Sequence, residues 1–573
     1  MSPATNAISS GFVQLLVIAA YLGALIALGL ASRALFRGTA IDYFVASRGV
    51  GPVVLVLSIF GTTMTAFAIQ GSSGEAWLAG VGVYGKMASW SGIIHAACFF
   101  LVGVRLWSLG KAYGYQTQIQ FFRDRFECNG LGVLLFPILV VLQMPYIIIG
   151  IIGSGNMIAT ATAGAFPRLF PAEGLAHGSV PFWLGTLVST GVVWLYVWLG
   201  GARATAWANA MQTLIFLVVG VVAFVMIAGR LGGFHNATRS VQELNPSKFT
   251  RGVSQEHIQN YQEKLAVWEA HQRGLQVSDN PTVPVLRPHR PRPMSELEFA
   301  SYGFIPLSVA MFPHLFQLWL TARSARSFRL TVTLHPVLIM AIWAPCVAIG
   351  VWASAAMIDG RPVIPFTPES PGANPNIVIG RMVAAVGSPL VSGLLSAGVL
   401  AAILGGMDAQ FLSLGSMFTH DIVQHYVRHE HMTDRQRLWT GRTFVILIVL
   451  ICWLAGLWLR QTKPVFNLAI WCFSGFSALF PLVIAALFWR RATKWGAYAS
   501  IVAGIGTGLW FYLRIGITEG FGSRMDPQVW GLVPAAPMVL FAAAAMVVVS
   551  LATSPPSPGT VSRFFRDRPE LGP

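Results

Sequence analysis

Hydrophobic residues come along this chain in long blocks, with no alternation and no one-sided helical pattern. Residues 13–31, 132–152, 181–200 and 332–355 are examples. Each is close to the roughly 20 residues a helix needs to cross a hydrocarbon core. Read this way, the chain holds about 13 such segments, broken by charge, Pro or Gly. They lie near 11–35, 51–78, 82–108, 131–162, 180–199, 205–230, 299–322, 331–357, 389–418, 437–460, 466–489, 495–516 and 534–553. The pattern predicts an all-α polytopic membrane protein.

Two of these segments are not uniform. The second contains SIFGTTMTAFAIQGSSGEAW (58–77), in which polar and small residues cluster and do not mark one helix face. A discontinuous membrane helix has this signature, because unwound backbone is tolerated where it lines a cavity. A Ser/Thr/Gly packing face has it too. The seventh contains SYGFIPLSVAMFPHLFQ (301–317), interrupted by Pro306 and Pro313, with His314 beside the second proline. Two interrupted helices five segments apart predict two five-helix halves with a site between them. The ninth segment, SAGVLAAILGGMDAQFLSLGSMFTHD (396–421), is apolar and small but holds one acid, Asp408. A carboxylate at membrane depth costs at least about 2.5 kcal/mol, so it calls for a cation, a proton or strong donors.

Composition agrees, with 55% hydrophobic and 10% charged residues in 573, where a soluble protein carries about a quarter charged. The 38 Lys+Arg exceed the 22 Asp+Glu, but this excess does not point to nucleic acid. It gathers in alternate loops, for example at Arg33, Arg37 and Arg48; Lys111, Arg123 and Arg125; Arg323, Arg326 and Arg329; and Arg490, Arg491 and Lys494. The positive-inside rule then puts the N-terminus outside and the C-terminus in the cytoplasm. The five cysteines have no paired spacing and read as reduced and structural. The first apolar block is too long for a cleaved signal. A long external loop, 231–298, has a charged middle (255–273), read as a surface helix. A Pro/Arg tract, PVLRPHRPRP, follows and is read as extended. Glu75 and Lys86 are placed to pair across the turn between the second and third segments.

Several stretches together resemble the solute:sodium symporters, the family of sodium–galactose, sodium–proline and pantothenate transporters. They are DYFVASRGVG (42–51), GTTMTAFAIQGSSG (61–74), YQTQIQFFRDRF (115–126), GGARATAWANAMQ (200–212), MFPHLFQLWLTA (311–322), NPNIV (374–378), LLSAGVLAAILGGMDAQFLSLGSMFTHDI (394–422) and LFWRRATKWGAYAS (487–500). The resemblance covers roughly residues 10–515. It implies 13 helices, an inverted repeat from the second to the eleventh, and alternating access. The implied division is an extra helix at 11–35, a first repeat at 51–230, the loop 231–298, a second repeat at 299–489, C-terminal helices at 495–553 and a short tail at 554–573.

Carried over position by position, the resemblance implies a cation site from the carbonyls of Gly61, Met64 and Ala402. The family's two consecutive hydroxyl residues are replaced here by Gly405 and Gly406, and a hard cation loses two oxygen ligands with them. A second family site, a hydroxyl on the ninth helix and an Asp on the sixth, reads Asp408 and Asn209 here. The carboxylate has changed helices. Asp408 then has three readings: the charge of a rearranged sodium site, a proton carrier, or a hydrogen-bonded clamp to Asn209. For the solute, the sugar-contacting positions read Thr63, Ile305, Ser308 and Met87, which argues against a sugar. The proline-type Asp is Thr63. Thr65, Gln70, Ser308 and His314 stand with Thr63 as solute candidates, and His314 is read first as positioning the helix.

No nucleotide-binding, zinc-protease or nucleophile-elbow motif is present, so an enzyme is not predicted. A sensor or a passive channel is the less favoured alternative. The reading is therefore a carrier of a small organic solute in the plasma or inner membrane. A monocarboxylate or other small metabolite is the favoured solute. The lipid bilayer is the partner, sodium the co-transported ion, and no other cofactor or nucleic acid is implied. Proton-coupled or uncoupled transport on the same fold is the alternative.

Overall fold

Among the described residues, ten helices are long and apolar enough to cross a membrane, and two bent pairs qualify as one span each. The computed structural model describes residues 3–34, 39–171, 177–273, 286–370, 373–427, 432–460, 464–519 and 528–565. One of the ten, Phe182–Arg230, has 49 residues and would be about 74 Å long at 1.5 Å per residue, more than two hydrocarbon thicknesses. It is two spans meeting at Gly201, whose φ of 55° and ψ of −145° interrupt the helix. A Cβ there would stand 2.5 Å from the Tyr43 carbonyl oxygen, so only glycine makes this corner. The division brings the described spans to the 13 that the hydrophobic pattern predicts.

The second span is Pro52–Thr63 plus Phe67–Ala79, bent by 55°, and the seventh is Glu296–Ala310 plus Pro313–Thr321, bent by 50°. The third is Gly82–Tyr113, the fourth Asn129–Ala161, the eighth Ala325–Trp352, the ninth Pro389–Val427 and the eleventh Val465–Phe488. The sixth span, the half of Phe182–Arg230 after Gly201, lies between the second and ninth. Ser58 donates to the Ala206 carbonyl at 2.8 Å, and Thr213 to that of Leu57 at 2.8 Å. A Cβ on Gly398 of the ninth span would meet Val219 at 2.3 Å. Small residues permit this closeness where no hydrophobic effect drives helices together.

The eighth span ends at Trp352, earlier than the apolar run predicts, and a short hairpin pairs Met357–Ile358 with Arg361–Pro362. In the 231–298 loop the predicted surface helix is present as Gln255–Gln272, capped by Ser254. The described part of the Pro/Arg tract, from Leu286, is extended; Pro284 and Val285 lie outside the described residues. Lys248 moors the loop to the second half of the second span, Phe67–Ala79. Its ammonium donates to the Trp77 and Leu78 carbonyls at 2.7 and 2.6 Å, and its own carbonyl accepts from Val81 N at 2.7 Å. A cation on the last carbonyls of a helix suits the helix dipole. At the other end of the bundle, the helix Gln118–Phe126 is fixed by Arg125, which donates to the Ala486 and Trp489 carbonyls, both at 2.9 Å.

Candidate functional site

The break in the second span contains no proline. Three residues, Gly61, Thr62 and Thr63, end its first half, and the ladder closes with Met64 N donating to Phe60 O at 2.9 Å. Met64 is non-helical (φ −90°, ψ 80°), so the carbonyls that follow Phe60 lose their ladder partners. Thr63 turns its hydroxyl onto Phe60 O at 2.9 Å, a local bond that competes with helix continuation. The chain resumes with a wide, π-type turn, Phe67–Gly71.

The ninth span breaks at the same depth. Gly405 N still donates to Ala401 O at 3.1 Å, and the next ladder bond between the two halves is Gln410 N to Gly406 O at 3.4 Å. The Ala402 carbonyl lies in the interval. Thr62 donates to the Gly405 carbonyl at 3.5 Å, and Gly61 packs on Asn209 and Thr213 of the sixth span. Of the residues expected at one site from the sequence, Gly61, Gly405, Asp408 and Asn209 meet where the second, sixth and ninth spans join, while Met64 and Ala402 lie at the breaks of the second and ninth spans.

Asp408 is 0% exposed, and every neighbour that donates to it is neutral. Tyr196 OH donates to Oδ2 at 2.9 Å, Asn209 Nδ2 to Oδ1 at 3.2 Å, and Ala409 N also to Oδ1. Among the described residues no Lys, Arg or His forms an ion pair with it. Asn209 Nδ2 also donates to Thr62 at 3.0 Å, which joins all three spans. Two carbonyl oxygens beside this cluster are buried without a partner: Asn209 Oδ1 and Gln212 Oε1. Both lie 3.2 Å from the position a Cβ on Gly405 would take, and Ala401 O lies 3.3 Å from it. At Gly405 oxygens of the sixth span stand so close to the ninth that a Cβ would crowd them. Gln212, Tyr196 and Tyr21 (which accepts from Gln212 Nε2 at 3.0 Å) were absent from the sequence reading. The one signal for Gln212 is its place three residues after Asn209, on the same helix face.

The solute candidates divide. Tyr146 of the fourth span lies close to Thr65, whose hydroxyl is buried without a partner, and 5.6 Å, ring to ring, from His314. Both nitrogens of His314 are buried without partners, and its ring stacks on Phe312 at 5.1 Å. Gln70 donates to the Gly153 carbonyl at 3.0 Å, and its Oε1 is unpartnered. Phe312 and Phe473 complete an aromatic wall, 5.5 Å apart. Thr65, Gln70 and His314 therefore surround Tyr146 and Gly153 of the fourth span. Thr63 is satisfied on its own helix, and Ser308 lies on the 3-10 turn Ile305–Ala310 that ends the first half of the seventh span. Lys86 meets Glu75 at 3.3 Å as predicted, and it also meets Glu298 at 2.7 Å, a partner the sequence did not suggest.

Gly406 has a packing role of its own. A Cβ there would stand 2.5 Å from the Thr65 methyl and 3.3 Å from Thr62 O. Gly406→Ser is therefore expected to destabilise the protein by about 1–3 kcal/mol, the usual cost of overpacking. Adding Thr65→Ser should recover most of that loss. Thermal unfolding of the single and double variants measures both.

A model of the sodium:solute symporter family matches residues 43–504. The sodium/proline symporter of Escherichia coli (strain K12) is 23% identical over 537 residues, covering 91% of this chain and 90% of that one. The sodium/pantothenate symporter of the same strain is 23% identical and covers 88% and 89%. Among solved structures, a Na+-coupled sialic acid symporter superposes with a TM-score of 0.68 over 95% of this chain and 99% of its own, at 16% identity. At that identity the likeness speaks for the fold.

Proposed function

The chain belongs to the sodium:solute symporter family, and from that premise we propose that its cation site is centred on Asp408. The protein is a cation-coupled secondary transporter working by alternating access on a five-plus-five helical core. The proposal concerns where the ion sits. One observation carries it: a carboxylate buried among neutral donors, beside two unpartnered carbonyl oxygens and two helix breaks. The Asp408 carboxylate supplies charge, Asn209 Oδ1 and Gln212 Oε1 supply side-chain oxygens, and Gly61, Met64 and Ala402 supply carbonyls from the broken ladders. Gly405, with no side chain, lets the sixth-span oxygens approach the ninth span. Such a set of oxygens suits a hard monovalent cation, and sodium is the ion named for the relatives.

The solute is a small carboxylic acid or zwitterion received by Thr65, Gln70 and His314, with Thr63 and Ser308 at the edges. Relatives carry proline and pantothenate, and a 23% identical chain of Corynebacterium glutamicum is a monocarboxylic acid transporter. The aromatic wall at Phe312 and Phe473 faces an apolar part of the solute. The alternation of basic loops supports an outward N-terminus and a cytoplasmic C-terminus.

Uptake of labelled L-proline, pantothenate and lactate into proteoliposomes tests the reading. An inward sodium gradient is expected to drive accumulation of one of these classes, and a proton gradient alone is not. Accumulation driven by protons only would assign Asp408 to a proton instead. Accumulation under neither gradient, with counterflow retained, would make the protein an uncoupled carrier.

A further inference from the structure

We propose that the outer face carries a second, peripheral binding site for a small carboxylate with a hydrogen-bond donor on the adjacent carbon, a 2-hydroxy or 2-amino acid. A cavity of about 410 Å³ lies between the loop helix Gln255–Gln272, the Pro/Arg tract and the segment that follows the eighth span. That is within the size range of small-metabolite pockets, about 300–1,000 Å³. Its polar lining is sparse and directional. The Arg287 guanidinium lies over the Trp268 ring at 5.0 Å, which holds the planar fork in place. Arg287 Nε is buried with no partner, so a donor suited to a carboxylate stands unused.

His289 supplies the opposite chemistry. It is 4% exposed, and its backbone N donates to Asn245 Oδ1 at 2.8 Å. Its ring meets Trp77 edge-on at 5.1 Å and hydrogen-bonds the Trp77 carbonyl. Nδ1 has no partner, so the bond to Trp77 falls to Nε2, and the neutral ring offers Nδ1 as an acceptor. One unused donor and one unused acceptor two residues apart match a ligand that carries both complements on neighbouring atoms. The hydroxyls of Thr367 and Ser370, 3.2 Å apart, lie on the same lining, and Phe366 gives it an apolar wall. Among the charges nearby, Lys248 acts on His289 and Arg292 on Lys248, while of the carboxylates that act on Lys248, Glu75 pairs with Lys86 and Glu369 accepts from the backbone N of Arg290 at 3.2 Å.

The site needs neither the coupling ion nor transport, so it can be tested apart from both. In purified full-length protein carrying Cys128→Ser, Gln272→Cys places a thiol at the cavity lining. Its reaction with a maleimide is expected to slow at least fivefold in L-lactate or L-proline and less than twofold in propionate, which lacks the second donor. Arg287→Gln should remove the protection while leaving the unliganded rate unchanged, and Asp408→Asn should leave the protection intact. No protection by lactate or proline, equal protection by propionate, or protection that survives Arg287→Gln would each overturn the proposal.

Discussion

Asp408→Asn is expected to raise the half-saturating sodium concentration about 100-fold and to abolish gradient-driven accumulation. Exchange of solute across the membrane should persist. Removing one member of a buried charge pair costs about 2–5 kcal/mol of binding, and each 1.4 kcal/mol is tenfold, so two decades lie inside that range. The amide retains the shape of the carboxylate. The Tyr196 hydroxyl, now 2.9 Å from Oδ2, can rotate to accept from the new amide, since a hydroxyl serves as donor and acceptor. The fold should therefore survive, and counterflow reports it. Asp408→Glu keeps the charge but displaces it by one methylene, and should fall between wild type and Asn. A wild-type sodium dependence in Asp408→Asn would reduce Asp408 to a clamp between helices.

The architecture was legible in the sequence because a bilayer imposes few solutions. Twenty-residue apolar blocks can only be spans, and Gly201 sits in a gap between two of them, even though the backbone there stays nearly helical on either side. The interruptions of the second and seventh spans were legible for the same reason: clustered polar residues and prolines at that depth mark backbone that lines something, whereas the break at Gly405–Gly406 lies in a segment that read as a continuous helix. What the sequence did not reveal were partners defined by tertiary contact. Tyr196 reads as one more aromatic in an apolar run, yet its hydroxyl is one of three donors to Asp408. Glu298 lies 212 residues from Lys86, beyond any local periodicity. The loop was read as a surface helix and an extended tract, and nothing in it marked Lys248, which holds the C-terminal end of the second span. Local pattern predicts where a helix stops, and only the fold shows what meets it there.

Lys86→Met is expected to be among the most destabilising single substitutions on the side of the molecule that carries the 231–298 loop. Lys86 is 2% exposed and lies between Glu298 at 2.7 Å and Glu75 at 3.3 Å, with its ammonium 5.1 Å from the Phe466 ring. It thereby joins the third span to the outer halves of both broken helices. Removing it leaves two carboxylates facing each other out of water, with Arg292 and Lys248 as the remaining cations acting on Glu75. Breaking a buried ion pair from one side costs about 3–5 kcal/mol, most of it from the stranded charge. For a protein with a total stability of about 5–15 kcal/mol, that removes most of the folded yield in detergent, read by size-exclusion profile and thermal unfolding. The companion variant Glu75→Gln/Lys86→Met/Glu298→Gln strands no charge, because the carboxylates are neutralised with the amine. Neutral replacements of buried ion clusters are often tolerated, so the triple variant should recover most of the lost stability. Gradient-driven uptake in the recovered triple variant then separates two roles. If uptake matches wild type, the cluster is a staple that holds the broken helices in register. If the triple variant folds but does not accumulate solute, the charge itself takes part in opening and closing the outer path.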